Sequence, residues 1–176
     1  MTERADCQRG DISFARQRAG LVRIPRSLLH VSLGDLEALG VAHEARTRLR
    51  ALLADLPLLP TAEHSALLVG EPRLTLACLA VVARHVGQGL RDYNLSLAHD
   101  RGRLRLERRK LVFMDSAELT RVVNDGDQRP MQEAVLFVCN ASGEVVSLLA
   151  EREARGLASF AATDGPLDGL AHWRTV

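Results

Sequence analysis

The sequence predicts an α/β protein with a mostly parallel sheet, and three observations lead there. Ala134–Asn140 (AVLFVCN) and Leu157–Thr163 (LASFAAT) are continuous apolar runs of strand length, the pattern of strands covered on both faces. Such runs alternate along the chain with segments of helical spacing. With 176 residues, 47% of them hydrophobic, the chain is long enough for one domain with a sizeable core.

Element by element, residues 1–30 read as a flexible basic lead-in, with Arg4, Arg9, Arg16, Arg18, Arg23 and Arg26 against Glu3, Asp6 and Asp11. A single domain is expected over 31–176. Val41, Ala45, Leu49, Leu52 and Leu53 repeat at helical intervals, and the PLLP turn at Pro57–Pro60 closes that helix. Ala66–Val69 is a buried strand, Gly70–Pro72 a turn, and Leu74–Val86 a helix. From Asp92 to Asp115 polar and apolar residues alternate around Asp100-Arg101-Gly102, predicting a β-hairpin, with an insertion at about 91–110. Lys110–Met114 is its strand-forming end. Ser116–Asn124 opens as a helix on its serine, and Asp125–Pro130 is a loop. Gly143–Glu153 is helical, Gly156 ends it, and Gly165–Trp173 forms a short closing helix. The strands at 66–69, 110–114, 134–139 and 158–162 should share one parallel sheet with 66–69 at its centre.

A net charge of +1 excludes a strongly basic or acidic protein, so any polyanion-binding surface must be local. Cys7, Cys78 and Cys139 are odd in number, far apart and without a C-x-x-C pair, which is no disulfide framework. The first residues, MTERADCQRGD, lack the apolar core of a signal peptide, and no uninterrupted apolar run reaches membrane-spanning length. A cytoplasmic location without membrane contact is the expectation.

The stretch ALLVGEPRLTLACLAVVARHV (Ala66–Val86) has the strand-turn-helix context of a phosphate-binding P-loop, whose template is G-x-x-x-x-G-K-S/T. Laid on that template without gaps, Gly70 takes the first glycine, Thr75 the second, Leu76 the lysine and Ala77 the hydroxyl residue. The loop cradles phosphates because glycines let successive N–H groups point inward. Arg73, Leu74 and Thr75 oppose such a nest, Leu76 carries no charge for the phosphates, and Ala77 offers no oxygen to a magnesium ion. An ordinary strand-turn-helix is the alternative.

The order of segments resembles the AAA+ ATPases of the DnaC/IstB type, the helicase loaders and transposition helper ATPases. LVRIPRSLLHVSLGDLEAL is similar to that family's Ile-Pro and "S-x-x-D-L" opening. GEPRLTLACLAVVARHV sits on its GPPGTGKTHLAxAxA register, sharing Gly70, Pro72, Leu79 and Ala80. KLVFMDSAELTRVV resembles the second strand and its helix. AVLFVCNASG resembles the Walker B strand, with Cys139 and Asn140 where the family has paired acids. LLAEREARGLASFAATDGPLDGLAHW resembles the sensor strand and following turn, with Asp164 in place of the sensor asparagine.

The resemblance spans roughly residues 20–174 and implies a three-layer P-loop NTPase-like fold. It implies a degenerate nucleotide site at Gly70, Pro72, Arg73, Thr75, Leu76, Ala77, Cys139, Asn140 and Asp164. Every residue that would bind or hydrolyse ATP is replaced, so neither catalysis nor a cofactor is expected, though ATP with Arg73 in the lysine's role stays open. The family's last strand and arginine finger are expected to be missing.

Other chemistry is thin. His30, His43, His64, His85, His99 and His172 have no zinc-ligand spacing, and there is no G-x-S-x-G serine elbow. Cys139 ends a buried strand, where a nucleophile or a small core residue can stand, and cysteine ordinarily behaves as the latter. Asp125 and Asp127 flank Gly126, as a cation site or a solvated turn would have them; Asp115 and Glu118 near a strand end fit helix capping.

Arg101–Lys110 (RGRLRLERRK) holds six basic residues and one acid in ten positions. As a strand it would put Arg101, Arg103, Arg105, Glu107 and Arg109 on one side and Leu104 and Leu106 on the other. With Arg108 and Lys110 this ladder predicts sequence-independent contact with nucleic-acid phosphates, with Tyr93 placed to stack on a base. A charged edge strand that blocks sheet-to-sheet pairing is the alternative.

Two classes of function follow: a non-catalytic AAA+-like scaffold or regulator in replication, recombination or mobile-element biology, partnered with an active ATPase or helicase, or an unrelated α/β module binding a protein or small ligand.

Overall fold

The computed structural model describes residues 26–28, 30–101 and 109–176, with the side chains of 26 and 97–101 left aside. The lead-in up to residue 25 and Arg103, Arg105 and Arg108 lie outside the described residues. The elements are α1 (His43–Asp55), β1 (Ala66–Val69), α2 (Pro72–Arg101), β2 (Leu111–Asp115), α3 (Ser116–Asn124), α4 (Arg129–Gln132), β3 (Val135–Cys139), α5 (Val146–Ala154), β4 (Ala158–Thr163) and β5 (Arg174–Thr175).

All five strands are parallel, in the order β2-β3-β4-β1-β5. The four expected strands do share one sheet, but β4 is the middle strand and β1 lies between β4 and β5. Successive strand residues point to opposite faces, and both faces are covered. Leu68, Phe113, Phe137 and Phe160 pack under α1 and α2. Leu67, Val112, Met114, Leu136 and Val138 pack under α3, α5 and the 167–173 segment. This three-layer arrangement explains why the strands carry no polar alternation. Register aligns Phe113, Phe137 and Phe160 across β2, β3 and β4. Their rings stack with centroids 6.0 and 5.2 Å apart, so a chain poor in aromatics concentrates three at one point of the core.

The expected hairpin is overturned at 91–101, where α2 runs on as a 30-residue helix about 45 Å long. Tyr93, Leu95 and Leu97 do alternate, but Val86, Leu90, Tyr93 and Leu97 also continue a helical spacing. Adding turns to a formed helix is easier than nucleating a hairpin beside it. Inside α2, Gly89 lets the PLLP turn approach: a Cβ there would lie 3.2 Å from the Leu58 carbonyl oxygen.

The segment after β4 is a series of turns rather than a helix, with Gly169 at φ +94°. It delivers a last strand that the sequence reading expected to be missing. β5 pairs with β1, Val176 N–H donates to Leu67 O, and Val69 N–H donates to Val176 O. Two paired residues are too few to show a period in sequence. Arg152 on α5 is wholly buried and joins α4, α5 and β4. Its guanidinium donates to Ser159 Oγ and to the carbonyls of Pro130, Glu133 and Ala158, at 2.8–3.0 Å. Burial pushes its pKa down to about 10.

Candidate functional site at the carboxyl edge of the sheet

In open parallel sheets ligands bind outside the carboxyl ends of the strands, where the strand order reverses. Here the reversal lies between β1 and β4, and the tips are tied directly: Gly70 N–H donates to Thr163 O at 3.0 Å. The predicted nucleotide residues of three strands all reach this edge.

Gly70, at φ +154°, and Glu71 are the whole connection from β1 to α2. Pro72 takes the first helical position, where its missing N–H costs nothing. Glu71 caps the helix, its carboxylate accepting from the N–H groups of Arg73 and Leu74 at 3.1 Å each. These are the helix-end donors that would otherwise greet a phosphate. Residues 73–77 are therefore helix rather than loop. Thr75 Oγ1 bonds back to the carbonyls of Glu71 and Pro72 at 3.3 and 3.1 Å, Leu76 and Ala77 are buried in the core, and Arg73 is exposed.

On β3, Cys139 is buried and disulfide-bonded, so the nucleophile alternative has no support. Asn140 sits in the left-handed region at φ +49°, which an asparagine tolerates. Its amide donates to Asp115 Oδ2 at 3.0 Å, while Asp115 Oδ1 accepts from Ala117 N–H at 2.9 Å. Asp115, not Ser116, is thus the cap of α3. Ser116 Oγ instead lies 3.3 Å from Ser142 Oγ and 3.4 Å from Glu144. Asp164 follows β4 and is exposed.

Asp127 is engaged by Arg129 at 2.9 and 3.0 Å, which holds its pKa down at about 2 and leaves Asp125–Asp127 as a turn. Among the described residues no group of three potential ligands could hold a metal ion. An open depression of about 540 Å³ lies beside α5, lined by Val146, Ser147, Pro166, Leu167 and Asp168. Asp168 is its one ionisable group.

The described residues of the predicted basic ladder, Arg101, Arg109 and Lys110, are not brought to this edge. Arg101 ends α2, about 45 Å along the helix from Pro72. Arg109 and Lys110 precede β2 at the opposite edge, both exposed. Asn94 of α2 holds them there: its Nδ2 donates to Arg109 O at 3.0 Å, and Arg109 N–H donates to its Oδ1 at 2.9 Å. Sequence reading missed both Glu71 and Asn94. A glutamate just before a helix-opening proline is a readable capping signal; a contact across 15 residues has no local signal.

The sheet order, the two covered faces and the strand-to-helix turn at the reversal point define a P-loop NTPase-like α/β fold. Among solved structures the crystal structure of DnaI matches, with a TM-score of 0.54, 17% identity, and coverage of 88% of this chain and 80% of that one. No family model matches, and no curated protein matches. No helix among the described residues is long and apolar enough to cross a membrane.

Proposed function

We propose that this protein is a non-hydrolysing relative of the AAA+ helicase-loader type, acting through a protein partner as a scaffold or regulator in replication, recombination or mobile-element biology. The observation that carries the reading is the two-residue β1–α2 connection, capped by the protein's own Glu71 carboxylate. A phosphate nest needs several successive free N–H groups in a loop; here the helix begins at Pro72. Leu76, at the lysine's register, points into the core, and Asn140, at an acid's register, is bonded to Asp115. Removing a charge-assisted phosphate bond costs roughly 1.5–3 kcal/mol, so removing three together weakens binding at least about a thousandfold. The DnaI likeness supports the fold behind this reading.

Calorimetric titration with ATP, with and without magnesium, tests it. The expected result is no binding up to millimolar nucleotide. Micromolar affinity that Arg73→Ala abolishes would establish a working site built around Arg73 and overturn the reading.

A second contact, with the phosphates of nucleic acid, is favoured by the exposed Arg109 and Lys110, which have no ion pair among the described residues. It would operate at the end of the molecule remote from Glu71.

A further inference from the structure

Arg109 lies against α2, where Asn94 makes a double hydrogen bond with its backbone. Two residues on, Leu111 Cδ2 lies 3.5 Å from where a Gly87 Cβ would be. Gly87 and Asn94 are seven residues apart, about 10 Å along one helical stripe, and two extended residues from 109 to 111 span about 7 Å. Lys110 therefore passes alongside the turns between them. Arg91 lies on the same stripe, four residues after Gly87 and three before Asn94. Arg91, Arg109 and Lys110 are all exposed, and none has an acid within ion-pair distance among the described residues. Asp92, the acid next to Arg91 in sequence, accepts from Gln88 Nε2 at 3.2 Å.

We propose that Asn94 is a positioning residue: its amide pins Arg109 and Lys110 beside Arg91, making one cationic stripe matched to the phosphate backbone of a nucleic acid. The inference rests on the nucleic-acid contact proposed above and says what orders it. Asparagine suits the task because one planar side chain supplies both a donor and an acceptor, closing on a backbone N–H and C=O as a neighbouring strand would. Without the pin the three charges remain, but their relative placement must be fixed at binding, at an entropic cost.

The test is fluorescence anisotropy of the full chain with a labelled single-stranded oligonucleotide, over a range of salt. Two variants are compared with the parent: Asn94→Ala, and the triple variant Arg91→Gln, Arg109→Gln, Lys110→Gln. With three fewer cations engaging the phosphates of a single strand, the triple variant should show a log–log salt slope flatter by about 2. Asn94→Ala should weaken binding about fivefold, leave the slope within about half a unit of the parent, and speed hydrogen exchange at the Arg109 amide without lowering the urea midpoint. If the triple variant binds as the parent does, or the parent prefers polyglutamate peptide to the oligonucleotide, the nucleic-acid contact itself is wrong. If the triple variant loses binding while Asn94→Ala keeps parental affinity, the contact stands and the role of Asn94 is overturned. A loss of affinity in Asn94→Ala matched by a fall in urea midpoint overturns it too, making the residue merely structural.

Discussion

Placing the P-loop template's lysine at position 76 should damage this protein rather than give it a nucleotide site. In gapless register the P-loop lysine falls on Leu76, which is 6% exposed and part of the core between α2 and the sheet. Leu76→Lys removes a buried leucyl group, a loss of about 2–3 kcal/mol in transfer free energy. It also places an ammonium in a cluster of apolar side chains that includes Leu79 and Ala80. The ammonium can bend toward solvent or shed its proton, which limits that second cost to a few kcal/mol. The sum is about 4–6 kcal/mol, a large share of the roughly 5–15 kcal/mol that holds a domain together. Urea unfolding reads this as a fall in midpoint at constant slope. Leu76→Met, which keeps the volume, should cost under about 1.5 kcal/mol. Calorimetry on the same Leu76→Lys sample should detect no nucleotide binding. A variant with parental stability and micromolar affinity for magnesium-ATP would refute the reasoning, because side chain 76 would then face a phosphate and not the core.

Two other perturbations probe the fold that carries the site. Arg152→Ala leaves the Ser159 hydroxyl, the buried carbonyls of Pro130 and Ala158 and the half-buried one of Glu133 without the guanidinium donor. It should destabilise by about 3–5 kcal/mol in urea unfolding, the relief of burying a cation offsetting part of the missing hydrogen bonds. A loss under about 1 kcal/mol would mean that water takes over these acceptors. Gly87→Ala and Gly89→Ala make a matched pair on α2. At 87 the new methyl meets Leu111 at an ordinary 3.5 Å, so the helix-propensity gain of up to about 1 kcal/mol should appear as a higher melting temperature. At 89 it presses on the Leu58 backbone at 3.2 and 3.3 Å, so the gain should vanish or reverse. Equal shifts for both would show that the PLLP turn yields freely.

Fold class and most strand positions are legible in the residues alone. Apolar runs such as Val135–Cys139 and Ala158–Thr163 are local, and only a sheet covered on both faces accommodates them. Which residue types stand at the positions of the P-loop template is equally legible, since they are read directly off the sequence. What needs partners distant in the chain was settled by packing. β5 exists because Arg174 and Thr175 find the open side of β1, and the central place of β4 follows from pairing, not from its residues. Alternation at 93–97 was ambiguous because Tyr93 and Leu97 fit either period; continuation from a helix already anchored in the core decided it. Thr75, Leu76 and Ala77 read as loop positions on the template, but a helix starting at Pro72 turns all three inward. The Asn94–Arg109 and Asn140–Asp115 pairs join residues 15 and 25 positions apart, and no local pattern encodes an encounter that only the completed chain path brings about.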